Sequence, residues 1–119
     1  MEKVLLIITN HTLRQLYHEL FVSESFEPVV SENVASALVM LTIHDNIAVI
    51  VLFDDQESEV QTLLRLRKRR RKWLRIPLVI LTPEPALFAR SLTKKDLLFN
   101  SLSINPTEVV DTIKTLFLR

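Results

Sequence analysis

The chain has 119 residues, 48% of them apolar, enough for one domain spanning 1–119 with a core of its own and too few for two. It contains no cysteine, which excludes disulfides and thiolate metal sites, and no glycine, which excludes the phosphate-cradling loops of P-loop and dinucleotide enzymes, since both need backbone free of Cβ. The formal net charge is +1 but unevenly spread: Arg65, Arg67, Lys68, Arg69, Arg70, Arg71, Lys72 and Arg75 put eight cations in eleven positions, leaving seven Lys and Arg against fourteen Asp and Glu elsewhere.

Met1 to Ile8 predicts the first strand, and Thr9-Asn10-His11-Thr12 turns the chain, with Asn10 or Thr12 placed to cap the first helix. Leu13, Leu16, Tyr17, Leu20 and Phe21 recur at helical spacing, and Ser23 to Ser25 end that helix. Phe26 to Val30 reads as a short strand whose Pro28 suits an edge. A second helix runs from Asn33 to Thr42, capped by Ser31 or Asn33, with Val34, Leu38 and Leu41 facing inward.

Ile47 to Phe53 is apolar without interruption and β-branched at four positions, the pattern of a strand buried on both faces in mid-sheet. The acids of 54–59 lead into a third helix through Val60, Leu63 and Leu64, and the bases at its other end also suit the helix dipole. Trp73, Leu74 and Ile76 return the chain to a fourth strand, Pro77 to Leu81. Pro83 and Pro85 break it after Thr82, and a short fourth helix is expected through Leu87, Phe88 and Leu92. Leu97 to Leu102 holds a fifth, shorter strand, and Asn105-Pro106-Thr107-Glu108 opens the last helix, with Val109, Val110, Ile113, Leu116 and Phe117 inward. Strands alternating with helices predict an α/β fold, a parallel sheet covered on both faces, whose functional groups gather at the strand ends.

Several segments carry a more specific pattern: the opening apolar strand, Phe26-Glu27-Pro28-Val29-Val30, Ala37-Leu38, the buried strand followed by Asp54, Leu63-Leu64-Arg65, Ile76-Pro77-Leu78-Val79-Ile80-Leu81-Thr82, and Asn105-Pro106-Thr107-Glu108-Val109-Val110. In order and spacing they resemble the receiver domain of two-component response regulators, the CheY-like family, over nearly the whole length. The resemblance implies a doubly wound (βα)5 flavodoxin-like sheet with strand order 2-1-3-4-5. It also implies a chemistry. Two acids after the first strand hold Mg²⁺, an aspartate after the third accepts a phosphoryl group, a Thr or Ser after the fourth contacts it, and a lysine after the fifth pairs with it.

Carried over residue by residue, most of that set is missing. The acid pair falls on Ile8 and Thr9, or on Thr9 and Asn10 one residue along. Counting without gaps from Thr82 or from Ala37-Leu38 puts Leu52 at the acceptor position, the favoured placement. A longer loop before the strand and a shorter one after it would put Asp54 there instead. The lysine position lands on Leu102 from the last helix, or near Ile104 from Thr82, and only Thr82 matches clearly. Without anionic ligands and a lysine, phosphoryl transfer lacks its main stabilising groups. The expectation is a pseudo-receiver that is not an enzyme, holds no metal or cofactor, and acts in bacterial signalling as a phosphorylation-independent protein interaction module.

Other groups offer alternatives. Asp54, Asp55, Glu57 and Glu59 could hold a divalent ion but read more simply as a solvated helix start, and His11, His18 and His44 have no metal-ligand spacing. Phe88, Leu92 and Phe99 fall where receivers meet partners or form dimers, or else are core. Arg67, Lys68, Arg69, Arg70, Arg71 and Lys72 could meet nucleic acid or an anionic membrane, with Trp73 stacking; the plainer reading is a solvated or protein-binding face with Trp73 over the core. Two further expectations are a cytoplasmic location, since no signal core or bilayer-length apolar run is present, and a functioning receiver at Asp54 as the alternative to the pseudo-receiver.

Overall fold

A computed structural model describes residues 1–54 and 57–117, with the side chains at 57 and 58 left out of the description. Five strands form one all-parallel sheet: β1 Lys3–Ile7, β2 Glu27–Ser31, β3 Ile47–Phe53, β4 Leu78–Thr82 and β5 Leu97–Asn100, in the order β2-β1-β3-β4-β5. The helices are α1 His11–Ser23, α2 Val34–Ile43, α3 Glu57–Arg69, a single turn α4 Arg71–Leu74, and α5 Pro106–Thr115. This is the doubly wound arrangement expected from the sequence.

The uninterrupted apolar strands follow from a core on each face. Val4, Leu6, Ile8, Val49, Val51, Val79 and Leu81 pack with Tyr17 and Phe21 of α1 and Val109, Val110 and Ile113 of α5. Leu5, Ile7, Ile50, Leu52, Leu78 and Ile80 pack with α2, α3 and Trp73 of α4. Because side chains alternate along a strand, only a sheet covered on both sides makes every position apolar. Ile47 and Val49 nevertheless belong to different cores, because the β1–β3 register slips between Lys3 and Val4. One extra residue at that point turns Ile47 to the other face.

Caps fix the helix starts. Asn10, Asn33 and Asn105 accept hydrogen bonds from the backbone N–H groups of Leu13, Ser36 and Thr107, so asparagine is the cap of α1, α2 and α5. At the end of α1, Ser25 takes φ 67°, a left-handed position that a glycine would normally fill.

One expectation is corrected. No α-helix joins β4 to β5. Two 3-10 turns, Pro85–Leu87 and Ala89–Ser91, stand there, neither with a side-chain cap. Pro83 and Pro85 remove backbone donors at the start of the segment, and the turn closed by Asp96 on Thr93 takes up its end. Phe88 fills the space beneath, fully buried against the α2–α3 core. The basic run ends α3 as expected and then breaks: Arg70 is extended, with φ −126° and ψ 110°, and α4 starts after it. β5 lies within the span expected for it and stops at Asn100, because Asn100 closes a turn with Leu102, Ser103 and Ile104.

Candidate functional site

The ends of β1, β3, β4 and β5 meet at one edge of the sheet, and register decides what stands there. Phe53 pairs with Leu81, and the Asp54 N–H bonds to Leu81 O at 2.7 Å, so the residue after β3 stands beside the last residue of β4. The Thr82 hydroxyl donates to Asp54 Oδ2 at 2.7 Å and accepts from the Glu84 N–H at 3.1 Å. Both bonds fix the buried threonine with its oxygen on the half-buried carboxylate. Leu52, by contrast, packs in the α2–α3 core and is only 2% exposed.

The end of β1 carries no carboxylate. Ile8 is wholly buried in the α1–α5 core, Thr9 spends its hydroxyl on Glu32 O at 2.8 Å, and Asn10 is the α1 cap. A cation occupies this corner instead. Arg14, one turn into α1, donates through Nη1 to Ile8 O at 2.8 Å and Thr9 O at 3.3 Å, with Glu32 Oε1 3.8 Å from Nη2. His11 is exposed, its Nδ1 3.3 Å from Arg14 Nη2. Arg14 was not singled out from the sequence, although it lies three and seven residues before Tyr17 and Phe21, on the flank of the face that α1 buries.

A cleft of about 310 Å³ opens beside β1 and β3, lined by Ile7, Thr9, Glu32, Asn33, Leu52, Phe53 and Glu59. Glu59 is engaged there: Oε1 accepts from the Val34 N–H at 3.2 Å, so the carboxylate sits at the positive end of α2. Of the acids considered for a divalent ion, Asp54 is therefore held by Thr82 and Glu59 by α2. Asp55 and the Glu57 side chain lie outside the described residues. Among the described residues no three His, Cys, Asp or Glu side chains gather to hold a metal.

After β5, Leu102, one of the two places considered for the lysine, is 80% exposed, its N–H bonded to Asn100 Oδ1. Ile104, the other position considered, packs against the α1–α5 core. Leu87, on the 3-10 turn after β4, is also exposed. The three candidate partner residues do not form a surface. Phe88 is core, Leu92, in the β4–β5 connection, packs against one core, and Phe99 of β5 packs against the other.

The basic run divides as well. Lys68, Arg69, Arg70, Arg71 and Lys72 are exposed, Arg70 lying over the Trp73 ring at 4.9 Å and Lys72 pairing with Asp45 at 3.3 Å. Arg67 is 2% exposed and belongs inside. Its Nη1 and Nη2 grip Asp96 Oδ2 and Oδ1 at 2.8 and 2.7 Å, and it donates to the carbonyls of Ile76, Trp73 and Leu74. It is thus not free for an external anion. A signal did exist: Arg67 continues the Val60, Leu63, Leu64 stripe that α3 buries, the place of an inward residue. Trp73 is buried beside it, a core cover rather than a free stacking platform.

No model of a known protein family matches the chain, and no curated protein matches it either. Solved structures do. The chemotaxis response regulator CheY4 of Vibrio cholerae superposes with a TM-score of 0.80 at 15% identity, covering 98% of this chain and 99% of that one. A sensor protein from Polaromonas sp. JS666 gives 0.81 at 13% identity, over 96% and 94% of the two chains. The receiver domain of the Francisella response regulator 1452 gives 0.76 at 19%, over 98% and 96%. The chain has the fold of response-regulator receiver domains, and no helix among the described residues is long and apolar enough to cross a membrane.

Proposed function

We propose that this is a pseudo-receiver, a signalling module that keeps the receiver frame and recognises a protein partner without being switched by phosphorylation. The observation that carries this reading is the corner beside β1. Where a receiver needs anionic oxygens for a divalent ion, Ile8 is buried in the core, Thr9 and Asn10 are neutral and hydrogen-bonded, and Arg14 brings a positive charge. A guanidinium next to the metal position repels the ion, and the loss of metal and lysine removes the groups that offset charge on a transferring phosphoryl. Leu102, exposed in the lysine position, and Leu87 on the neighbouring loop offer apolar contact at the same edge, and supply the partner surface in place of Phe88.

A second reading is favoured by one contact. Asp54 stands beside Thr82 in register and accepts its hydroxyl, the relation expected between an acceptor aspartate and its threonine. Of the two acceptor positions, this geometry supports Asp54 over the buried Leu52. Incubation with acetyl phosphate and Mg²⁺ followed by intact mass separates the readings. The pseudo-receiver stays unmodified, and an adduct of one phosphoryl group lost in Asp54→Asn overturns it. Signalling output should likewise persist in Asp54→Asn and fall when Leu87 and Leu102 are both replaced by Ser.

A further inference from the structure

At the opposite edge of the sheet, where the chain enters β4 and β5, two segments distant in sequence form the walls of a groove. Arg71, Leu74 and Arg75 make one wall and Thr93, Lys94 and Lys95 the other, around a volume of about 540 Å³. The four cations are exposed, and among the described residues Arg71, Arg75 and Lys94 are in no ion pair. Lys95 reaches across to the Arg75 carbonyl.

Like charges brought together from two segments repel, so something must hold the walls in place. The buried Arg67–Asp96 pair does so. Arg67 grips the carbonyls of Trp73, Leu74 and Ile76 behind the first wall, while Asp96 accepts from the Thr93 N–H of the second at 2.8 Å and from Leu78 of β4 at 2.9 Å. The groove is therefore preorganised for an anion, with the repulsion already met by the fold.

We propose that this groove binds a single strand of nucleic acid, its phosphates on Arg71, Arg75, Lys94 and Lys95 and a base against Leu74. Guanidinium forks match phosphate oxygens in pairs, and their planes stack on unpaired bases. The half-buried Leu74 and the aliphatic stems of the basic side chains give the base an apolar floor. A planar bilayer fits a concave groove poorly. An acidic peptide meets the charges, but only a nucleic-acid strand offers a phosphate and a flat base at every unit. The site is independent of Asp54 and of the partner surface at the other edge.

Fluorescence anisotropy of the full chain with labelled oligothymidylate and oligouridylate tests this. Saturable binding is expected whose log K falls with log salt at a slope of about −2 to −3, as three or four phosphate contacts give on single strands. Arg71→Gln combined with Lys94→Gln should weaken it at least about tenfold and reduce the slope by about 1.4. Arg90→Gln, exposed outside the groove, should change neither. All these side chains are exposed, so unchanged thermal melts will show that the variants fold. The proposal is overturned by no saturable binding at low salt, by an unaltered affinity in the double variant, by tighter binding of duplex, or by preferred binding of polyglutamate or phosphatidylserine vesicles.

Discussion

Arg67 and Asp96 meet fork to fork, 2.7 Å from Nη2 to Oδ1, with both side chains shut off from water. Among the described residues no buried side-chain nitrogen or oxygen lacks a partner, so this pair is fully compensated by the carbonyls and N–H groups around it. Removing one partner leaves a buried charge alone. Arg67→Met should cost about 3–5 kcal/mol in urea unfolding, and Asp96→Leu a similar amount. The double variant should cost clearly less than the sum, because neither charge then remains. Additive losses in that cycle would show that the two side chains act independently.

The same pair sets an acid limit on stability. Burial pushes the Asp96 carboxyl up, but the Arg67 hydrogen bonds, the Thr93 and Leu78 N–H groups and the Arg67 charge together outweigh it, and the net shift is downward. A carboxyl with a depressed folded pKa adds stability above its unfolded value of about 3.9 and loses it as pH falls through the folded value. The urea midpoint should therefore fall on acidification below about pH 4–5. The gap between the parent chain and Asp96→Asn should narrow as it does. A gap that widens in acid would contradict this assignment. At the alkaline end, burial pushes the Tyr17 hydroxyl up to about 12, so stability is full below its ordinary value of about 10 and is lost as pH rises from there through 12.

Phe88 and Leu102 should separate core from surface. Phe88→Ala opens a cavity in the α2–α3 core and should cost about 3–5 kcal/mol. Leu102→Ala, at an exposed turn, should stay within about 0.5 kcal/mol. Thermal melts of the two single variants check this. Comparable losses would mean that the β4–β5 connection packs differently.

Ser25 holds a left-handed conformation in a chain with no glycine. Ser25→Gly removes the Cβ clash while adding flexibility to the unfolded chain, a net gain of about 0.5 kcal/mol. Ser25→Val should lose about 1 kcal/mol or more, since a β-branched residue tolerates that conformation least. A Val variant as stable as the parent would exclude a left-handed turn at this position.

Much of the frame was legible because it is written locally. The apolar runs of β1, β3 and β4 mark strands buried on both faces, and asparagines at 10, 33 and 105 cap their helices by contacts within three residues. What depended on distant partners was not legible. The α3 stripe marks Arg67 as inward, but nothing near it in the sequence names its partner Asp96, twenty-nine residues on. The relation of Asp54 to Thr82 depends on the register of two strands separated by α3 and α4, and counting along the chain cannot see how much sequence those connections consume. The β4–β5 connection read as a helix because Leu87, Phe88 and Leu92 have helical spacing, although prolines and the Asp96 turn leave no room for one.

The most direct test is an amide NMR titration of the full chain with beryllofluoride and Mg²⁺, which together mimic a phosphorylated aspartate. For a pseudo-receiver, the N–H signals of Thr9, Asp54 and Thr82 stay where they are at saturating reagent. Saturable, Mg²⁺-dependent shifts of those three signals, absent in Asp54→Asn, would contradict it.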